Sequence, residues 1–130
     1  MSGILDVVSN QQNPARRHFA RARVDFPVSY SIVGQEGLHD ARVVDLSAAG
    51  VRITDATELE HGTSIALQFY LPKTRREIAV VARIVLSFFD GAAKRYAHGV
   101  AFTQIAKDDQ AAIDHYVHDI ARSKLHGLSR

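Results

Sequence analysis

Hydrophobic and polar residues alternate along several stretches of the chain between Val24 and Phe102. The clearest stretch runs from Val24 to Ile32, where every second residue is apolar or aromatic. An alternation with period two is typical of a β-strand that has one buried and one exposed face. Further strands of this kind are predicted at residues 39–46, 51–54, 64–71, 78–88 and 96–102. The pattern therefore predicts about six strands in the central part of the chain.

Residues that favour turns separate the predicted strands. They include the glycine-rich segment 34–37, the segment 47–50 and the Asp90-Gly91 pair, and aspartate followed by glycine is a frequent hairpin signal. Short turns join antiparallel neighbours, and closure of the sheet removes its exposed edges. We therefore predict a mainly β fold, a six-stranded antiparallel β-barrel over residues 24–104.

The spacing of the apolar residues becomes helical near residue 108. Asp108 and Asp109 suit the first turn of a helix, and Gly127 suits its C-terminal cap. Apolar residues recur at helical spacing between these ends: Ile113, Tyr116, Val117, Ile120 and Ala121. We predict one amphipathic C-terminal α-helix over residues 108–124, with its apolar side packed on the barrel.

The N-terminal part of the chain lacks both patterns. Residues 1–15 end in a polar, turn-rich run and are predicted to form a flexible tail. Residues 16–23 contain Arg16, Arg17, Arg21 and Arg23 and no acidic residue, so they form a predicted cationic arm. Arm, barrel and helix together define one domain over residues 16–125.

Composition narrows the possible classes of protein. The chain has 130 residues, of which 46% are hydrophobic, and a net charge of only +2, which suits one globular domain. It contains no cysteine, which excludes disulfides, a cysteine nucleophile and thiolate metal sites. Neither a secretory signal nor a membrane-spanning apolar run is present, so a cytoplasmic location is expected.

An RxxxR pattern precedes the first predicted strand. It consists of Arg17 and Arg21, with Arg16 directly ahead of it. A guanidinium group is planar and charged, and it forms paired hydrogen bonds with phosphate oxygens or with O6 and N7 of guanine. The two arginines therefore suit an anionic guanine nucleotide, although a solvated basic segment would need no ligand.

A DxSxxG pattern occupies the turn between the second and third predicted strands. Asp45 can accept hydrogen bonds from the N1–H and N2–H₂ groups of guanine, and Ser47 can donate and accept beside it. Period-two geometry points both side chains the same way, so both can face one ligand. Gly50 is expected to supply a positive φ or a close approach of backbone to ligand. Local turn hydrogen bonds are the alternative interpretation.

These two motifs, in this order and at these places in the pattern, resemble the PilZ domain, a bacterial receptor module for cyclic di-GMP. The resemblance covers roughly residues 15–122, including a glycine-containing last strand at 99–102. It implies a basic arm, a six-stranded barrel and a terminal helix. It also implies a cyclic di-GMP site without metal or cofactor, made of Arg16, Arg17, Arg21, Asp45, Ser47 and Gly50.

The same resemblance implies how such a protein works. Cyclic di-GMP would draw the arm onto the barrel, and a separate effector protein, not identified by the sequence, would recognise the altered surface. Control of motility, biofilm or exopolysaccharide is the expected setting. An arginine at position 16 favours an intercalated pair of ligands over a single one. Binding to a polynucleotide and insertion into a membrane are not expected.

Two other binding functions are compatible with this fold. One is a protein-interaction adaptor that uses no nucleotide, with the helix and residues 78–88 as its surface. The other is a barrel for single-stranded nucleic acid. It is disfavoured because the strands lack a row of exposed aromatic residues among lysines and arginines, and because the net charge is only +2.

Enzymatic and metal-binding functions have little support in the sequence. There is no GxSxG or phosphate-binding GxxxxGK[ST] pattern, so we expect no enzyme. His115 and His118 have a spacing that can hold a metal, but no glutamate or cysteine accompanies them. Arg23 and Arg52 are interpreted as exposed strand residues within reach of the site.

Overall fold

The computed structural model describes residues 19–128, with side chains as far as residue 124. The predicted tail and the residues Arg16 and Arg17 lie outside the described part. Six strands and one helix form the fold: β1 (Arg21–Ile32), β2 (His39–Ser47), β3 (Gly50–Asp55), β4 (Ser64–Tyr70), β5 (Glu77–Asp90), β6 (Arg95–Gln104) and α1 (Lys107–Leu128).

The strands form a closed antiparallel barrel in the order β1-β2-β3-β6-β5-β4. This confirms the predicted fold class. β1 begins earlier than predicted, because Arg21 and Arg23 already pair with Ser47 and Asp45 of β2. Two arginines assigned to the arm therefore belong to the barrel wall. Helix α1 is also longer at both ends than the predicted 108–124.

The alternating apolar residues fill the interior of the barrel. Tyr30, Leu46, Ile53 and Phe102 are all fully buried there, as expected for one face of each strand. Ile113 and Val117 add the apolar side of α1 to the same core. The helix contacts β1 and β2, so it covers the part of the barrel on which the DxSxxG turn lies.

Irregular pairing at the end of β2 places Asp45 on the outer surface. Val43 pairs with Ile53 of β3, but Asp45 pairs with Arg52, so β2 contains one more residue than β3 at this point. A β-bulge of this kind re-aims the side chains that follow it. Val43 is fully buried whereas Asp45 is partly exposed, although strict alternation would have placed both inside.

The barrel also contains buried polar groups away from this bulge. The hydroxyl of Tyr30 donates a hydrogen bond to Asp55 Oδ2, and burial, followed by this hydrogen bond, raises the pKa of Tyr30. His98 Nε2 lies 3.0 Å from the carbonyl oxygen of Thr57. Since a carbonyl only accepts, Nε2 carries the hydrogen, and Nδ1 accepts from the Ser87 hydroxyl at 2.8 Å. The buried side chains of Tyr30, Asp55 and His98 therefore all have hydrogen-bond partners.

Candidate functional site

The ion pair between Arg21 and Asp45 is the centre of the candidate site. Arg21 Nε lies 3.5 Å from Asp45 Oδ1, and the side chains are 56% and 26% exposed. This separation is too long for a strong hydrogen bond. Asp45 Oδ1 is buried and has no hydrogen-bond partner among the described residues. The carboxylate is thus held in place by charge but keeps a free acceptor.

Arg52 of β3 pairs with Asp45 of β2, and it also has an unused hydrogen-bonding group. Its side chain is partly buried, and within the described part of the chain its buried Nε has no hydrogen-bond partner. A buried donor without a partner is costly, so a ligand that accepts from Arg52 would be favoured. The sequence predicted an exposed strand residue within reach of the site, and Arg52 is only partly exposed on the outer surface. Its register opposite Asp45 was the missing signal.

Register places these groups in one row across the outer surface. Arg23 of β1 pairs with Asp45 of β2, Asp45 pairs with Arg52 of β3, and Arg52 pairs with Gly99 of β6. Arg21 extends the row at the start of β1. We call Arg21, Arg23, Asp45 and Arg52 the outer row. It combines three guanidinium groups with one carboxylate, and groups of these two kinds can bind the phosphates and the base of a guanine nucleotide.

The Ser47 hydroxyl stabilises the turn between β2 and β3. Its side chain is almost completely buried, at 1% exposure. The hydroxyl accepts from the Ala49 backbone N–H at 3.1 Å and lies 3.4 Å from the Gly50 carbonyl oxygen, to which it donates. Asp45 and Ser47 are therefore not equally accessible, although alternation suggested a common face. The hydroxyl instead fixes the turn that follows Asp45.

Gly50 is required by packing between strands. A Cβ atom at this position would lie 2.2 Å from the carbonyl oxygen of Val100 in β6, far inside van der Waals contact. The φ of Gly50 is outside the left-handed region, so the expected positive φ is absent. The close approach that excludes a side chain is made to the backbone of the barrel itself.

The turn at residues 47–50 is connected to the helix and to β6. Gln110 Nε2 in the first turns of α1 donates to the Ala48 carbonyl oxygen at 3.0 Å. The backbone N–H of Phe102 donates to the Ala49 carbonyl oxygen at 2.9 Å. The DxSxxG turn is therefore held from two sides, which keeps the adjacent outer row in a defined position.

His115 and His118 of α1 each lie beside an aspartate of the same helix. His115 pairs with Asp119 at 3.4 Å, and His118 pairs with Asp114 at 3.6 Å, each across one helical turn. No group of three or more His, Cys, Asp or Glu suited to a metal occurs in the residues that the structure describes. Likewise, no helix within residues 19–128 is long and apolar enough to cross a membrane.

The structure is therefore a small closed barrel with a row of charged residues on its outer wall. The sequence matches the PilZ domain family over residues 15–119. The chain therefore belongs to the PilZ domain family. No match was found among curated proteins.

Solved structures similar to this chain have the same fold. The inhibitor of motility MotI/DgrA of Bacillus subtilis has a TM-score of 0.71 at 23% identity over 85% of this chain, which spans 52% of that protein. The PilZ domain of YcgR from Escherichia coli, solved with c-di-GMP, has a TM-score of 0.64 at 13% identity, with 88% and 98% of the two chains covered. The PlzA protein of Borreliella burgdorferi, also in complex with c-di-GMP, has a TM-score of 0.57 at 17% identity, with 88% and 45% covered.

Proposed function

We propose that this chain is a receptor for cyclic di-GMP that binds the nucleotide on the outer row and signals to a separate protein. One observation carries the proposal. A carboxylate with a free acceptor, Asp45, and a guanidinium with a free donor, Arg52, lie on adjacent strands beside the exposed Arg21. Groups of both kinds are needed to read a guanine and to bind its phosphates.

Each residue of the site has a distinct task in this proposal. Asp45 accepts from the N1–H and N2–H₂ edge of a guanine. Arg21 gives up its weak pair with Asp45 and donates to a phosphate or to guanine O6 and N7. Arg16 and Arg17, which precede β1, close over the ligand and add further cationic forks. Ser47 and Gly50 shape the turn that presents Asp45.

The family supports this function in general terms. Both the YcgR domain and PlzA were solved with cyclic di-GMP, and the Bacillus relative is described as an inhibitor of motility. We infer that this chain acts in the cytoplasm as a binding module and not as an enzyme. Its effector protein belongs to motility, biofilm or exopolysaccharide control.

The test is calorimetric titration of the full chain with cyclic di-GMP. Arg17→Ala, Arg21→Ala and Asp45→Asn should each weaken binding by about tenfold to hundredfold, because each removes a charge-assisted hydrogen bond. Arg42→Ala is the matched control. Arg42 is also an exposed arginine in an ion pair, 2.6 Å from Asp25, but it lies outside the outer row. Its loss should leave the affinity unchanged.

A nucleotide-independent adaptor is the alternative function. Near the end of β5 the exposed side chains of Val85, Leu86, Phe88 and Phe89 form an apolar surface of the kind that binds proteins. Absence of binding heat and of a thermal shift with wild-type protein would favour this alternative. Equal affinity of wild type and Arg21→Ala would also contradict the proposed site.

A further inference from the structure

The turn between β4 and β5 has an unusual backbone for its sequence. Lys73 and Arg75 have φ angles of 72° and 60°, in the left-handed region that favours glycine. Their side chains are exposed, so packing does not explain the choice of residue. Long basic side chains occupy two positions where glycine would relieve strain, and such strain is concentrated at functional sites.

Hydrogen bonds hold this turn in one conformation. The Thr74 hydroxyl donates to the Leu71 carbonyl oxygen at 3.1 Å and accepts from the Arg76 backbone N–H at 3.0 Å. The N–H of Leu71 donates to the Arg76 carbonyl oxygen at 2.9 Å. The basic side chains therefore project from a rigid base, which lowers the entropic cost of binding.

The turn and helix α1 form a cleft between them. Its volume is about 330 Å³, and it is lined by Lys73, Thr74, Tyr116, Asp119, Ile120, Ser123 and Lys124. This volume is at the lower end for ligand pockets. It accommodates one or two side chains of a partner rather than a nucleotide dimer.

The cleft retains positive charge that the protein does not neutralise. Among the described side chains, Lys73 and Lys124, which line the cleft, have no ion pair, nor has Arg75 in the same turn, whereas the acidic residues Asp109 and Asp119 are paired. Asp109 is bound by Arg76 at 2.9 Å. Asp119, which lines the cleft, pairs with Arg122 and with His115. The unpaired cations are therefore available to an anionic partner.

We propose that this cleft is a docking site for an acidic segment of a partner protein. Charge complementarity identifies the chemistry, and the concave shape between two elements favours a protein side chain over a flat lipid surface. No large exposed apolar side chain has been found in the turn or in the described part of α1, whereas binding at a membrane surface relies on such residues. The cleft shares no lining residue with the outer row.

The test uses a fluorescently labelled hexaglutamate peptide and the full chain at about 20 mM salt, where exposed charges are weakly screened. Lys73→Gly combined with Arg75→Gly should weaken binding about fivefold or more, since two exposed charges are lost. The same variant should melt no earlier than wild type, because glycine relieves both left-handed residues. A decrease in the melting temperature would show that the charges serve the fold and would overturn the proposal.

Lys94→Gly is the matched control for Lys73→Gly alone, since Lys94 is a third exposed basic residue with a left-handed backbone, in the turn between β5 and β6, with a φ of 56°. Each single variant loses one charge and one left-handed residue, so weaker peptide binding in Lys73→Gly with unchanged binding in Lys94→Gly supports the cleft. Equal weakening by Lys94→Gly, or loss of binding only in Arg17→Ala and Arg21→Ala, would overturn it. So would absence of peptide binding by wild type, or binding only to phosphatidylglycerol vesicles. Cyclic di-GMP titration of the same variants reports the nucleotide site separately.

Discussion

At the scale of single residues, the three named positions of the DxSxxG motif differ in role. The carboxylate of Asp45 can still accept a hydrogen bond, whereas Ser47 and Gly50 determine the shape of the turn beside it. Asp45 Oδ1 is paired with Arg21 by charge but has no hydrogen-bond partner among the described residues. Ser47 is buried and uses its hydroxyl within the turn, and Gly50 lies against the backbone of β6. Substitutions at Ser47 and Gly50 should therefore affect binding through the shape of the turn, whereas a substitution at Asp45 should remove the proposed ligand contact.

Gly50→Ala should destabilise the protein by about 1–3 kcal/mol, the usual cost of forcing an atom into a packed region. The added Cβ would lie 2.2 Å from the Val100 carbonyl oxygen, which belongs to a strand and cannot rotate away. Denaturant unfolding measures the change. Gly91→Ala is the control, because its nearest neighbour would be a Phe89 ring atom at 4.0 Å. Equal stability of both variants would contradict this role for Gly50.

At the scale of elements, the sequence predicts the strands, the helix and their order, but not the irregularities that position the site. Alternation from Ala41 and Val43 would place Asp45 inside the barrel. The bulge reverses this, and it depends on how β2 pairs with the neighbouring strand β3, which the alternation within β2 does not reveal. The unused Nε of Arg52 was missed for the same reason. The DxSxxG motif identified Asp45 as a candidate ligand residue because the identity of a side chain is read directly from the sequence. Its orientation depends on strand pairing.

The link between helix and turn leads to a prediction at this scale. Gln110→Ala should reduce stability by about 1 kcal/mol, because the Ala48 carbonyl oxygen loses its donor. If the helix fixes the turn, cyclic di-GMP affinity should also fall, by less than in Asp45→Asn. Gln104→Ala is a suitable control, since Gln104 is exposed at the end of β6. Reduced stability with unchanged affinity would show that the turn keeps its shape without α1.

At the scale of the whole molecule, the two ends of the barrel contain different groups of polar residues. One end holds the start of β1, the DxSxxG turn and α1. The other end contains the buried Tyr30–Asp55 and His98 hydrogen bonds, which contact none of the outer row. We infer that the second group stabilises the fold without taking part in binding. Stability and affinity should therefore be separable by mutation.

Tyr30→Phe tests this separation. It leaves Oδ2 of the buried Asp55 without its donor, while Oδ1 keeps the Thr57 N–H. Stability at neutral pH should therefore fall by about 1–3 kcal/mol, while cyclic di-GMP affinity is unchanged. The substitution also removes a pH dependence. Burial and Asp55 raise the pKa of Tyr30 in the folded state, whereas an unfolded tyrosine has a pKa of about 10.

The sign of that dependence follows from proton binding. Above pH about 10 the unfolded chain releases the Tyr30 proton while the folded chain retains it, so the stabilisation is complete below this pH and is lost as pH rises. Denaturant midpoints measured from neutral to alkaline pH should fall less steeply in Tyr30→Phe than in wild type. Tyr116, whose pKa is raised by burial, should maintain part of the slope. Parallel curves would contradict the role of Tyr30 in the pH dependence. Weakened nucleotide binding in Tyr30→Phe would show that the two ends of the barrel are coupled.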